Sequence, residues 1–311
     1  MNGPGSYLAI VNPAAGGGRS RKMLGPALER LRAGGVAVEV AETRGAGDAT
    51  RIAREAYGRG MRRFIAVGGD GTSYEVVNGL FPEAGGGSDA GMAGGGARPT
   101  LGFLPLGTGN SFLRDFSDRG VEHAIESLIA GRGQSCDVLR LRHRGGVIHY
   151  INLLSVGFPA DVATLRARRF SSQGELGYII SIFLGLARLH RRPFPVRVDG
   201  ETEFDRRRCL FLTFNNSKFT GGTMMIAPKA EVNSGLIEYV RWGAIGRLGL
   251  IGNLPRLYDG THIEHPMAER KAVRRVEFEL EAPVDVMVDG EVLTLDCEEL
   301  DVLPGALSVV A

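Results

Sequence analysis

The sequence is poor in the features that mark secreted, metal-stapled or nucleic-acid-binding chains. It has three cysteines, Cys136, Cys209 and Cys297, far apart and without C-x-x-C spacing. That argues against a disulfide framework or a zinc site and for free thiols in a reducing cytosol. No stretch reaches the ~20 apolar residues of a membrane span. The opening MNGPGSYLAIVNP lacks a positive region followed by a long apolar core, so no signal peptide is expected. Net charge is only +2, which weighs against a dedicated nucleic-acid binder. There is one tryptophan, Trp242, read as packing. Neither G-x-x-x-x-G-K-[ST] nor a strand-linked G-x-G-x-x-G with a later acidic residue occurs, so neither standard nucleotide loop is present.

What the chain has in quantity is glycine, 46 of 311 residues, in a composition 43% hydrophobic and 23% charged that reads as globular. The length suits two domains. Over the first ~135 residues, apolar runs alternate with helix-like segments. SYLAIVN (6–12), VAVEVAET (36–43), RFIAVGG (63–69) and TLGFLPLGTGN (100–110) read as strands. KMLGPALERLRAGG (22–35), DATRIAREAYGRG (48–60), SYEVVNGLF (73–81) and DRGVEHAIESLIAGR (118–132) read as helices, with Asp48 a candidate N-cap. This alternation predicts a doubly wound, mainly parallel sheet. EAGGGSDAGMAGGGAR (83–98) reads as a surface insertion. Beyond ~135, strand-like segments follow one another with short turns, broken by helical patterns at 159–170 and 175–192, and predict an antiparallel sandwich or barrel.

Three glycine-bearing turns each end a strand: NPAAGGGRS (12–20), GGDGT (68–72) and PLGTGN (105–110). In a parallel sheet they gather at the carboxyl edge, where backbone N–H groups can cradle phosphate. Asp70 in the second turn is unexpected beside phosphate. It makes sense if a divalent cation lies between them, directly or through water, or if the carboxylate handles a proton.

GGDGTSYEVVNG followed by PLGTGNSFLRD resembles the catalytic domain of the diacylglycerol kinase and sphingosine kinase superfamily, and the bacterial soluble lipid kinases in particular. The resemblance extends through ETRGAGDAT (42–50), NNSKFTGGTMMIAPKAEVNSGLIEYV (215–240), VDGEV (288–292) and LPGALSVV (303–310). It implies a phosphofructokinase- and NAD-kinase-like α/β domain over 1–135, with 299–311 returning to it, and a β-sandwich lipid-substrate domain over 136–298. It also implies ATP and Mg2+, with Asn12, Pro13, Gly16, Thr43, Gly68, Gly69, Asp70, Gly71, Thr72, Glu75 and Thr108 at the nucleotide and Asp70 in the metal-linked network. Glu291, with Asp289 beside it, is the implied base for a lipid hydroxyl, and sequence leaves open which of the two points inward. The same tetrapeptide V-D-G-E at 198–201 is read as a plain turn.

Two positions depart from the family pattern. Ser111 stands where members often carry an aspartate, and Ser234 replaces the aspartate of a structural magnesium site, which is therefore not assigned. The function implied is transfer of the γ-phosphoryl group of ATP to a lipid hydroxyl, of diacylglycerol or a related lipid. The alternatives are an NAD-kinase-like enzyme and an inactive lipid-binding or regulatory member of the fold. Arg166, Arg168 and Arg169, and Arg188, His190, Arg191 and Arg192, suggest transient contact with an anionic membrane by a cytoplasmic protein. No nucleic-acid partner is expected, and a homodimer is left open. His262 and His265 read as a surface loop, because no third metal ligand lies near.

Overall fold

The computed structural model describes residues 5–81, 98–169, 180–181, 184–187 and 189–311. The insertion read at 83–98 lies outside the described residues except for Arg98. Of the helix expected over 175–192, residues 180–181 and 184–187 are described and helical, but residues 189–191 are irregular and Arg192 opens a short strand with Pro193, so the helix ends before Leu189. The chain forms two compact units, Met1–Val138 with Pro304–Ala311, and Leu139–Leu303.

In the first unit the strands are β1 (Tyr7–Val11), β2 (Val38–Glu42), β3 (Arg63–Gly68) and β4 (Thr100–Pro105). They run parallel in the order β2-β1-β3-β4, and the end of the last strand of the chain, Cys297–Val310, adds in parallel beside β4. Three helices connect them, α1 (Arg19–Ala33), α2 (Asp48–Gly58) and α3 (Asp70–Leu80), and α4 (Val121–Ala130) follows β4. Ala27 and Leu31 of α1 and Ile125 and Leu128 of α4 share a core with Ala9, Val11, Ile65, Val67 and Leu104. The alternate strand residues Leu8, Ile10, Phe64 and Ala66 are buried as well, so the sheet is covered on both faces. That is why β1 and β3 read as continuous apolar runs. α2 and α3 pack closely at Gly79, where a Cβ would come 2.5 Å from the Thr50 carbonyl. Gly47, in the left-handed region at φ 81°, holds the N-cap position of α2. Asp48 is the first residue inside the helix and pairs with Arg51 at 2.6 Å instead.

The second unit is a β-sandwich. One layer has the antiparallel order Ala268–Val273, Ile237–Gly243, Arg208–Asn215, β7 (Leu153–Gly157), Val284–Val288 and Glu291–Leu295. The other contains β6 (Gly146–Tyr150), β5 (Gln134–His143), the last strand, Arg275–Phe278 and Val196–Val198. Phe214 of the first layer meets Phe278 of the second edge-on, with ring centroids 5.4 Å apart. The opposite face of the first layer carries Phe211 and Trp242, packed with Leu250 and Leu257 from short helical segments. A layer covered on both sides explains the unbroken run RCLFLTFN. α5 (Phe158–Arg169) follows β7 directly.

His262 corrects the sequence-based expectation of a surface loop. It is fully buried against Trp242, and its ring nitrogens lie 3.3 Å from the Arg256 carbonyl and 3.0 Å from that of Ile226. Its spacing from His265 reflects this packing. The three cysteines are free and buried, and no helix among the described residues is long and apolar enough to cross a membrane.

His149 on β6 is 5% exposed. Burial first, then the Arg140 charge, holds its pKa down at about 4, against an ordinary value of ~6.5. The unfolded chain therefore takes up a proton below pH ~6.5 that the folded chain does not. Stability is expected to fall as pH drops from ~6.5 toward ~4, with the slope of one proton. Melting temperature against pH measures this; His149→Gln should flatten that part of the curve, and an unchanged slope would remove His149 from the account.

Candidate active site

The carboxyl ends of β1, β3 and β4 bring the three glycine turns together. The second and third are locked by their backbones: Gly107 N–H donates to the Gly68 carbonyl at 2.8 Å, and Asp70 N–H to the Gly109 carbonyl at 3.0 Å. There is no space for side chains at this contact. A Cβ on Gly69 would lie 2.7 Å from the Gly109 oxygen, and one on Gly107 2.6 Å from the Gly69 nitrogen. The first turn joins them through Gly16, at φ 62°, whose Cβ would sit 2.6 Å from the Leu106 carbonyl. Arg19, one residue past the glycines, donates to the Gly107 carbonyl at 3.0 Å. Sequence reading missed this clamp; the signal was a basic residue directly after a glycine turn.

The remaining nucleotide candidates fall around this junction. Asn12 follows β1, donates its N–H to the Val67 carbonyl at 3.0 Å and accepts from Ala14 N–H through its side chain at 3.0 Å. Pro13 comes next and is half-buried. Thr43 follows β2 and donates its N–H to the Val11 carbonyl at 2.8 Å. Thr72 is buried in the first turn of α3, its hydroxyl tight against Gly68, and Thr108 is exposed. The N–H groups of Gly71, Thr108 and Gly109 have no partner among the described residues. Unspent N–H groups at a helix start and a neighbouring turn are the donors an oxyanion takes. The small cavity beside them, lined by Gly68, Asp70, Asn110 and Phe112, measures about 10 Å3 and is too small for any nucleotide. A ligand here would lie on the open side of the turns.

Two acidic candidates have partners that sequence could not supply. Asp70 turns its carboxylate inward, and both oxygens accept the Ser111 N–H, at 3.1 and 3.0 Å. Burial raises its pKa, against hydrogen bonds from the Ser111 backbone and side chain and the Phe112 backbone that lower it. Ser111 can donate its hydroxyl, which an aspartate at that position could not do when ionised. Glu75 holds the start of α2, accepting from Gly47 N–H at 2.8 Å and Ala49 N–H at 3.0 Å. Both residues position the loops that carry the other candidates. With its oxygens so engaged, Asp70 is poorly suited to bind magnesium directly, and no group of three or more His, Cys, Asp or Glu among the described residues could hold a metal. The described residues do not form a cage for a resident magnesium. Ser234 is exposed, and its hydroxyl accepts the Leu236 N–H.

In the second unit, Asp289 and Glu291 occupy different settings. Asp289 is 3% exposed, at φ 47°. Its carboxylate accepts backbone N–H groups of Ile151, Asn152 and Leu153 at 3.1, 3.0 and 2.9 Å. Glu291 opens the next strand and is exposed. The second V-D-G-E repeats the local geometry: Asp199 has φ 46° and accepts from Arg274 and Arg275 N–H at 2.8 and 2.9 Å, but on the surface.

Comparison with known proteins decides the family. The model of the diacylglycerol kinase catalytic domain matches residues 6–141, and that of the YegS C-terminal NAD kinase beta sandwich-like domain matches residues 152–311. The chain belongs to the diacylglycerol kinase-like lipid kinase superfamily. It is 27% identical over 310 residues to a diacylglycerol kinase of Mycobacterium tuberculosis, spanning 98% of this chain and 95% of that one. It is 28% identical over 286 residues to a diacylglycerol kinase of Bacillus subtilis, spanning 91% and 88%. A crystal structure of a diacylglycerol kinase from Bacillus anthracis shares the fold, with a TM-score of 0.69 and 20% identity over 98% of this chain and 96% of that one. In this superfamily member, then, the locked turns lie in the unit that the catalytic-domain model matches.

Two outcomes test the geometry. Gly69→Ala is expected to part the second and third turns and lower the melting temperature, since its Cβ meets backbone rather than a movable side chain. Asp289→Ala should cost ~3 kcal/mol or more by leaving three buried N–H groups unpaired, whereas exposed Asp199→Ala should cost less than ~1 kcal/mol. Denaturant titration of the two variants measures both, and equal losses would mean that burial does not distinguish the two turns.

Proposed function

We propose that the protein is an ATP-dependent lipid kinase that phosphorylates a hydroxyl of diacylglycerol or a related lipid. The observation that carries this reading is the junction of three glycine turns, with unspent N–H groups on Gly71, Thr108 and Gly109, inside the stretch matched by the catalytic-domain model. Its N–H groups and the start of α3 would take the phosphates of ATP, which would enter as its magnesium complex. Asn12, Pro13, Gly16, Thr43, Gly68, Gly69 and Thr72 form the surrounding wall, and Asp70 and Glu75 hold that wall in place. Magnesium carried in with ATP would neutralise charge on its phosphates.

The acceptor oxygen attacks the γ-phosphorus, the bond to the β–γ bridging oxygen breaks, and ADP leaves with that electron pair. The acceptor's proton passes to a carboxylate. We assign that base to Glu291 rather than Asp289. Asp289 already accepts three backbone N–H groups and has little capacity left for a substrate proton, whereas Glu291 is exposed. Asp289 then fixes the turn that presents Glu291.

Incubation with γ-labelled ATP, magnesium and a mixed lipid extract tests the reading. Label in an organic-phase product is expected. NADP formation would favour the NAD-kinase-like alternative, and lipid binding without turnover a regulatory one. Glu291→Gln should cut turnover by ~10² or more at an unchanged melting temperature; near-wild-type turnover would refute the assignment of the base.

A further inference from the structure

The helix Arg247–Asn253 and the turn of helix Arg256–Asp259 after it are apolar on two faces, and the described residues cover only one of them. Inward, Leu250 and Leu257 are buried and join Leu254 in the core around Trp242 and Phe211. The outward face of such a helix is ordinarily polar. Here it presents Leu248, 85% exposed, Ile251, 49% exposed, and Tyr258, 55% exposed. From Trp242 to Tyr258 the chain has no acidic residue and carries Arg247 and Arg256, both exposed. Beside this face lies an open groove of about 480 Å3, lined by Leu189 and Arg191 on one side and Gly246, Arg247, Leu248 and Gly249 on the other. Arg247 is held at the groove by its bond to the Ala187 carbonyl at 2.7 Å, and neither it nor Arg191 has an ion-pair partner among the described residues. Asp259, the first acid to follow, is engaged with the Thr261 backbone and hydroxyl.

We propose that this face docks on an anionic lipid bilayer, Leu248 and Ile251 entering the acyl boundary while Arg191, Arg247 and Arg256 meet lipid phosphates. Apolar side chains with arginines beside them suit the interface of an anionic membrane, where each basic group strengthens binding about fivefold. A second copy of the chain is a poor occupant. A two-fold contact would set the same arginines against each other with no acid between them. The inference deepens the lipid-kinase reading and rests on it for its purpose, since a membrane is where the acceptor would reside. The surface itself is read from the helix.

Sedimentation with vesicles of phosphatidylcholine, alone or mixed with phosphatidylglycerol, tests it. The protein should pellet with the mixed vesicles, less so at high salt, and stay in solution with phosphatidylcholine alone. Leu248→Asp, and separately the pair Arg191→Gln and Arg247→Gln, should weaken binding about tenfold or more. Leu248→Asp should leave the melting temperature and the phosphorylation of a short-chain, monomeric diacylglycerol unchanged. Failure of the wild type to bind mixed vesicles, equal binding by the variants, or a dimer that Leu248→Asp dissociates would each overturn the proposal. Vesicle binding that responds to these variants in a protein transferring no phosphate to any lipid would leave the docking face standing and refute the kinase reading instead.

Discussion

The contact on which the first unit depends is backbone against backbone, at the junction of the second and third glycine turns. Two hydrogen bonds, from Gly107 to Gly68 and from Asp70 to Gly109, join the ends of neighbouring parallel strands. The approach is too close for any Cβ at Gly69 or Gly107. This requirement gives the glycines their positions. Their role is to let main chain reach main chain, and the N–H groups left over at Gly71, Thr108 and Gly109 follow from the same crowding. Arg19 and Gly16 bring the first turn, at the end of β1, into the arrangement through Gly107 and Leu106.

Within each unit, carboxylates do the holding of loops. Asp70, Glu75 and Asp289 all spend their oxygens on backbone N–H groups of another segment: the stretch after β4, the start of α2, and the link between β6 and β7. Charged acceptors on main-chain donors make stronger hydrogen bonds than neutral pairs, which suits them to fix loops that have no regular structure of their own. Acidic residues in these motifs can therefore act as fasteners of the loops around them. Asp70, the residue that looked most out of place beside phosphates, faces away from the solvent side of its loop.

The two V-D-G-E turns show what a short motif can and cannot say. Both place aspartate and glycine at positive φ, and both aspartates accept neighbouring N–H groups. The local conformation follows from Asp-Gly chemistry and is the same twice. What differs is burial, and burial depends on the strands packed over the turn. Nothing in the tetrapeptide reports this. His262 makes the same point from the other direction: a T-H-I-E-H-P segment rich in polar residues reads as surface, yet Trp242 and two carbonyls enclose the first imidazole.

Periodicity, glycine placement and turn chemistry are local properties, and from them the sequence alone determined the strand–helix alternation of the first unit, the run of strands in the second, and the gathering of three turns at one sheet edge. It also carried the family, through motifs spread along the chain. The tertiary structure decided the partners. That Asp70 faces Ser111, Glu75 caps α2, and Asp289 is sealed while Glu291 is exposed depends on segments 26 to 138 residues apart meeting in space. Hydrogen bonds and burial across such separations are set by how whole elements pack, and no window of neighbouring residues contains that information.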